Sequence, residues 1–257
     1  MTTTPRCHSL AVPTLVGAIL LAGPGLATSQ SSDKGQVDYR NPPRVYEEVS
    51  SGGRTYRVEK QLLEEDASTA REALERLGKN IDEAIETYPS HARKGLESVH
   101  FYVLYGSRAK SGGRDSGLIY FREEAPDHRA DIDPDWRNVI VIYSADNYRK
   151  ITDLWAQKSV AHELAHAYHL QHWPEKQSDI LEAYENTMKR GLYRNVKNNK
   201  GGVTAMAYAT VNQLEYFAEL SCMYFFECDY SPTKREELES YDPVGYTMIQ
   251  KMWKVED

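Results

Sequence analysis

Five residues, His162-Glu163-Leu164-Ala165-His166, constrain this chain more than any other stretch. The run from Lys158 to Trp173 contains no Pro or Gly, so it reads as continuous helix. Four residues of helix turn through about 400°, which sets His162 and His166 about 40° apart on one face. Leu164 and Ala165 are apolar, so the helix has an inward side. A fold that buries this helix must find partners for two imidazoles and a carboxylate, because unpaired polar groups are costly to bury. The rest of the chain has to be built around that demand.

One metal ion would meet it. Both imidazoles can reach the same Zn²⁺ at roughly 2.0–2.1 Å. Glu163, displaced around the helix, would reach a water rather than the metal and accept its proton. The spacing therefore predicts two ligands and a general base. Two residues compete to be the third ligand. The first is Glu215, in Glu215-Tyr216-Phe217-Ala218-Glu219, on a helix expected from about 211 to 227. Its two glutamates are spaced i, i+4 among Leu214, Phe217, Ala218, Leu220 and Phe225. Carboxylates on so apolar a helix need a reason, and a metal with its histidines is one. One glutamate would ligate, and the other would orient a ligand histidine or accept a backbone N–H. The second candidate is His172, whose distance from His162 matches H-E-x-x-H-x-x-G-x-x-H, with Met223 as an imagined Met-turn. That pattern needs glycine for a sharp turn, and His169 stands in its place. In a continuous helix His172 points about 80° away from His162, so the sequence favours Glu215. His169 shares the ligand face, and reads either as a group beside the ligands or substrate or as a partly buried polar histidine.

His162-Glu-Leu-Ala-His166, then Tyr208, then Glu215-Tyr-Phe-Ala-Glu219 resembles the gluzincin peptidases of the anthrax lethal factor and Pro-Pro endopeptidase group. In that family a tyrosine precedes the ligand glutamate by the spacing that separates Tyr208 from Glu215. The resemblance implies zinc held by His162, His166 and Glu215, with Glu163 as general base and Tyr208 stabilising an oxyanion. Glu219 would be the carboxylate behind the ligands, and the cofactor Zn²⁺. It spans about His162 to Phe226. It also implies a zincin-like fold, a secreted bacterial setting and a peptide or protein substrate. The tail from Arg235 to Trp253 resembles that of secreted bacterial proteins bearing E-Y-F-A-E. Tyr208 has its own chemical logic, since a phenol near a metal can donate to a developing oxyanion.

The fold class expected is α+β: a small mixed sheet packed on the active-site helix, then a mainly helical C-terminal half. Ala70, Leu74, Leu77, Ile81, Ala84 and Tyr88 form one apolar helical stripe. Thr69 with Glu72 has capping-box spacing at its start, and Pro89 stops it. Strands are expected at 99–105, 117–122 and 139–143, with a glycine-rich basic loop at 106–116. Arg108, Lys110 and Arg114 in that loop read as a solvated flexible segment or a substrate rim. Helices follow from about Tyr148 to Trp173 and from Ser178 to Tyr193, then a loop over 195–203, the Glu215 helix, and two short helices ending at Trp253.

Residues 1–27 read as a cleaved signal peptide: a polar start with Arg6, an apolar run from Leu10 to Leu26, and a small-x-small end at Ala27. A retained anchor is the alternative, weakened by Pro13, Gly17, Gly23 and Pro24. Residues 28–66 read as a linker or leading arm, and 67–257 as the zincin-like domain. Secretion permits a bridge between Cys222 and Cys228, but only if the helix ends between them. With 31 basic and 38 acidic residues the net charge is −7, which gives no general attraction for nucleic acid. No stable membrane association is expected after cleavage. His91, His100 and His128 have no partner spacing. Endopeptidase, zinc-binding protein without hydrolysis, and zinc-stabilised module all remain open, with the endopeptidase favoured because Glu163 and Tyr208 are both intact.

Overall fold

The computed structural model describes residues 37–122 and 129–255; the signal peptide expected over 1–27 and His128 lie outside them. The segment expected to be a leading arm enters the sheet instead. Strands β1 (Tyr46–Ser51) and β2 (Arg54–Glu59) pair as an antiparallel hairpin. Gly52 and Gly53 make its turn at φ 56° and 79°, where residues with a Cβ are strained. β1 is mostly polar and lies at the sheet margin, so it lacks the apolar run that announces a strand. β2 alternates, with Tyr56 and Val58 buried. The short helix α1 (Lys60–Glu65) leads into α2 (Ala67–Thr87). α2 buries the expected stripe, but Asp66, not Thr69, caps it by accepting from Thr69 N at 3.3 Å.

After α3 (Arg93–Glu97) come β3 (His100–Val103), β4 (Leu118–Phe121) and β5 (Val139–Ile142). The sheet order is β1-β2-β3-β5-β4; the two inner pairings are parallel and the two outer ones antiparallel. β5 therefore lies inside, which is why all four of its residues are apolar and buried on both faces. One face of the sheet packs on α2 and on the motif helix. The other is covered by Tyr39, Ile132 and Trp136, against Tyr102, Leu104, Val139, Val141 and Tyr143. The glycine-rich loop folds back on itself: a Cβ on Gly113 would fall 2.2 Å from the Gly106 carbonyl oxygen. Its basic side chains are engaged. Arg108 pairs with Asp66 at 2.7 Å, Lys110 with Glu65 at 2.8 Å, and Arg114 lies over the Tyr143 ring.

The remaining elements are α4 (Ala145–Lys150), α5 (Asp153–His172), α6 (Ser178–Arg190), β6 (Arg194–Lys197), β7 (Val203–Met206), α7 (Gln213–Phe225), α8 (Arg235–Tyr241) and α9 (Pro243–Met252). The helix expected from Tyr148 is broken at Ile151-Thr152, where the Thr152 hydroxyl caps α5. The loop expected at 195–203 is a hairpin of β6 and β7. The chain is thus a mixed α/β molecule with a small mixed sheet and several helices. α7 ends between Cys222 and Cys228, yet both are buried free thiols. No helix among the described residues is long and apolar enough to cross a membrane.

Trp253, just beyond α9, ties the helices together. Its ring stacks on Tyr88 at 4.3 Å and on Tyr168 at 4.0 Å. Its Nε1 donates to Ser221 Oγ on α7 at 2.9 Å. The end of the chain therefore clamps α5 and α7 against the end of α2.

Candidate metal centre

α5 supplies His162, Glu163 and His166, and α7 supplies Glu215 and Glu219. Asn212 starts α7, accepting from Leu214 N at 2.8 Å and Glu215 N at 2.9 Å. That cap fixes the turn that carries Glu215. The two helices face each other in opposite sense. Lys158, His162 and His166 form one stripe at i, i+4 and i+8 on α5, and Glu219 and Glu215 interleave with it from α7.

Three atoms converge. His162 Nε2 lies 2.9 Å from Glu215 Oε2 and 3.1 Å from His166 Nε2, and His166 Nε2 lies 3.2 Å from Glu215 Oε2. Hydrogen bonds along all three edges would need three protons, and two Nε2 atoms carry at most two. A cation at the centre faces no such shortage. Donors arranged tetrahedrally around a zinc at about 2.0–2.1 Å stand about 3.3 Å apart, close to the observed edges. The donor set, two imidazole nitrogens and a carboxylate oxygen, suits zinc. The Nδ1 of His162 adds a further test of fit. It lies 2.9 Å from Glu219 Oε1, off the line of a hydrogen bond but at ion-pair distance. A carboxylate there favours the tautomer with its proton on Nδ1, which leaves the Nε2 lone pair for a metal. The residues present fit the ion.

The charges agree with this arrangement. Burial pushes the Glu215 carboxyl up, but the His166 and His162 imidazoles beside it outweigh burial and hold it well below the usual range. Burial likewise raises Glu219, and the Lys158 ammonium, together with His162, more than reverses it, to about 2. Glu219 Oε2 receives Lys158 Nζ at 2.8 Å and the Tyr230 hydroxyl at 2.5 Å. Lys158 also donates to Asp229 Oδ1 at 2.6 Å. Glu219, Cys228 and Asp229 are close enough together to hold a second metal, but the ammonium already sits among them.

Glu163 is buried, and its Oε2 accepts from Tyr120 N on β4 at 2.7 Å. Burial raises its pKa, and the two imidazoles pull it back. Oε1 is the oxygen left to take a proton. Tyr208 opens a 3₁₀ turn between β7 and α7, with its ring 5.8 Å from that of His162. Burial first, then Glu215, pushes its phenol far above the usual value, so it stays protonated and can donate.

The other described histidines stand elsewhere. α5 runs straight through to His172, whose Nδ1 lies 2.8 Å from Tyr168 O, and His172 is outside the converging group. The helix stops because Trp173 precedes Pro174 and adopts an extended conformation. His169 is buried, 0% exposed. It packs on Phe217 and bonds Pro174 O at 3.2 Å, and burial lowers its pKa to about 4. His91 lies 3.2 Å from the Tyr168 hydroxyl, and His100 starts β3. Sequence reasoning missed Lys158, Tyr230 and the amide of Tyr120. Lys158 had one signal, since it lies four residues before His162 on a face that must be buried. No model of a known protein family matches this chain, and no curated protein matches it significantly.

Proposed function

We propose that the chain is a zinc-dependent endopeptidase with a zincin-like arrangement of its sheet and site helices. The observation that carries this reading is the convergence of His162 Nε2, His166 Nε2 and Glu215 Oε2, with the buried carboxylate of Glu163 one residue along α5. A three-residue donor set leaves a position open, as catalytic zinc sites do. A zinc ion held there supplies Lewis acidity, which acidifies water and polarises a carbonyl.

The chain's own residues do the rest. Glu163 takes a proton from the attacking water and passes it to the leaving amine. The contact with Tyr120 N keeps the carboxylate turned toward the site. Tyr208 donates a hydrogen bond from its hydroxyl to the oxyanion of the tetrahedral adduct and keeps its proton. β4 is an edge strand. Gly117 O accepts from Tyr143 N, so by alternation Leu118 and Tyr120 turn their amides away from β5; the Tyr120 amide is held by Glu163, and the Leu118 amide faces the margin. An extended peptide would align along that margin by β-augmentation. The partner is a peptide or protein. A leader over 1–27 would deliver the enzyme to the extracytoplasmic side.

The test is metal content and peptide-library cleavage for the purified chain beside Glu163→Gln, Glu215→Ala and His172→Ala. Expected are stoichiometric zinc and cleavage in the parent and in His172→Ala, zinc without cleavage in Glu163→Gln, and loss of both in Glu215→Ala. Full zinc in Glu215→Ala would sink the ligand assignment. Undiminished cleavage by Glu163→Gln would sink the mechanism. Stoichiometric zinc with no cleavage of any library peptide would leave a zinc-binding protein.

A further inference from the structure

The site contains a charged residue that the mechanism does not use. The Lys158 side chain is 2% exposed and lies one turn before His162 on α5. Burying an ammonium and two carboxylates is weak as a source of stability, because desolvation consumes most of the attraction. What the triad does supply is orientation. Lys158 Nζ, the Tyr230 hydroxyl and the Cys228 thiol all gather on Oε2 of Glu219, at 2.8, 2.5 and 3.6 Å. Oε1 is left facing His162 Nδ1 at 2.9 Å. Asp229 anchors the ammonium from its far side at 2.6 Å. Because Glu219 is 0% exposed, no water can replace these contacts.

We infer that Lys158 is a positioning residue for the metal centre: seated between Glu219 and Asp229, it holds the Glu219 carboxylate in the one rotation that turns Oε1 to His162 Nδ1, and so aims His162 Nε2 at the ion. The ammonium does in the Glu219–Cys228–Asp229 group what a second cation would do, and it leaves the true metal site to His162, His166 and Glu215. Without it, a buried carboxylate loses its counter-charge and turns to whatever donors remain. His162 then loses the partner that fixes its ring. The inference rests on the zinc reading above.

The experiment is zinc affinity by chelator competition for the full chain and for Lys158→Met, Glu219→Gln and the double variant, with apo-protein unfolding midpoints and visible spectra of the cobalt-loaded proteins. Lys158→Met is expected to weaken zinc about 10–100-fold, as loss of groups behind metal ligands does. The same substitution in the Glu219→Gln background should add little, because both act through one contact. The cobalt bands should shift alike in both single variants, a response that mere loss of packing would not produce. Asp229→Asn, which loosens the ammonium from the more exposed side, should act in the same direction by a smaller factor, and it stands in if Lys158→Met fails to fold. Unchanged affinity in Lys158→Met, or in Asp229→Asn where it stands in, overturns the inference. So do losses that multiply in the double variant. If the parent binds no zinc, or keeps it in His162→Ala, the zinc reading itself fails and the inference falls with it.

Discussion

On the proposed mechanism Tyr208 and Glu163 meet opposite needs, one giving a hydrogen bond and the other taking a proton. Tyr208→Phe removes the donor and keeps the ring beside His162. It should lower kcat about 10²–10³-fold with KM and zinc content nearly unchanged. Steady-state kinetics beside metal analysis checks this, and an equal rise in KM would mean that the hydroxyl binds substrate instead. Far from the site, Asp66 both caps α2 and pairs with Arg108. The Arg108 guanidinium holds its carboxyl at about 2, below the ordinary 3.8. A carboxyl depressed in the folded state contributes stability that is complete above the unfolded value and lost as pH falls through the folded one. Asp66→Asn keeps the cap and removes the charge. Its denaturation midpoint should fall below the parent's near neutrality, and the gap should close as pH drops from about 4 toward 2. A gap that persists at pH 2 would assign the effect to the cap.

The element that sets Glu215, the proposed third ligand, is the start of α7. Asn212→Ala should cost about 1 kcal/mol of stability. Because Glu215 lies in the turn that Asn212 caps, zinc affinity should fall as well. Urea unfolding and chelator competition on the same variant measure the two, and an unmoved affinity would mean that packing alone fixes Glu215. The elements around the site were legible where a period was long. The apolar stripe of α2 repeats over several turns, α5 and α7 are long runs without Pro or Gly, and His162, His166 and Glu215 came directly from spacing. The short strands β3, β4 and β5 fell where their aromatic and β-branched runs placed them. Polar or exposed short elements were missed: β1 has polar residues at four of six positions, and β6 and β7 are largely exposed and lack an apolar run. The Thr69–Glu72 spacing misplaced a cap because Asp66 performs that role one turn earlier. Lys158 was illegible for a different reason. A lysine reads as solvent-facing unless its counter-charges are known to be adjacent, and Glu219 and Asp229 reach it only through the tertiary fold.

At the scale of the whole molecule, the His162–His166–Glu215 group joins α5 to α7, and Trp253 joins both to α2. Zinc bound at 1,000 times its dissociation constant would add about 4 kcal/mol to folding, so chelation should lower Tm, and added zinc should restore it. Calorimetry with and without chelator tests this, and a Tm indifferent to zinc would place the ion outside the folded core. Trp253→Ala opens a hole among Tyr88, Tyr168 and Phe217 and should cost about 3–5 kcal/mol. A loss below about 1 kcal/mol would show that the stack is dispensable. The position of that tryptophan also bears on the order of events in biosynthesis. A ribosome makes the helix with the two histidines long before it makes Trp253. A nascent chain that has α5 and α7 but not Trp253 has the three candidate donors but no clamp to keep the two helices in register. Until that residue emerges, the two halves of the centre are held by their own contacts alone, and on the zinc reading a tight grip on the ion would come late in synthesis.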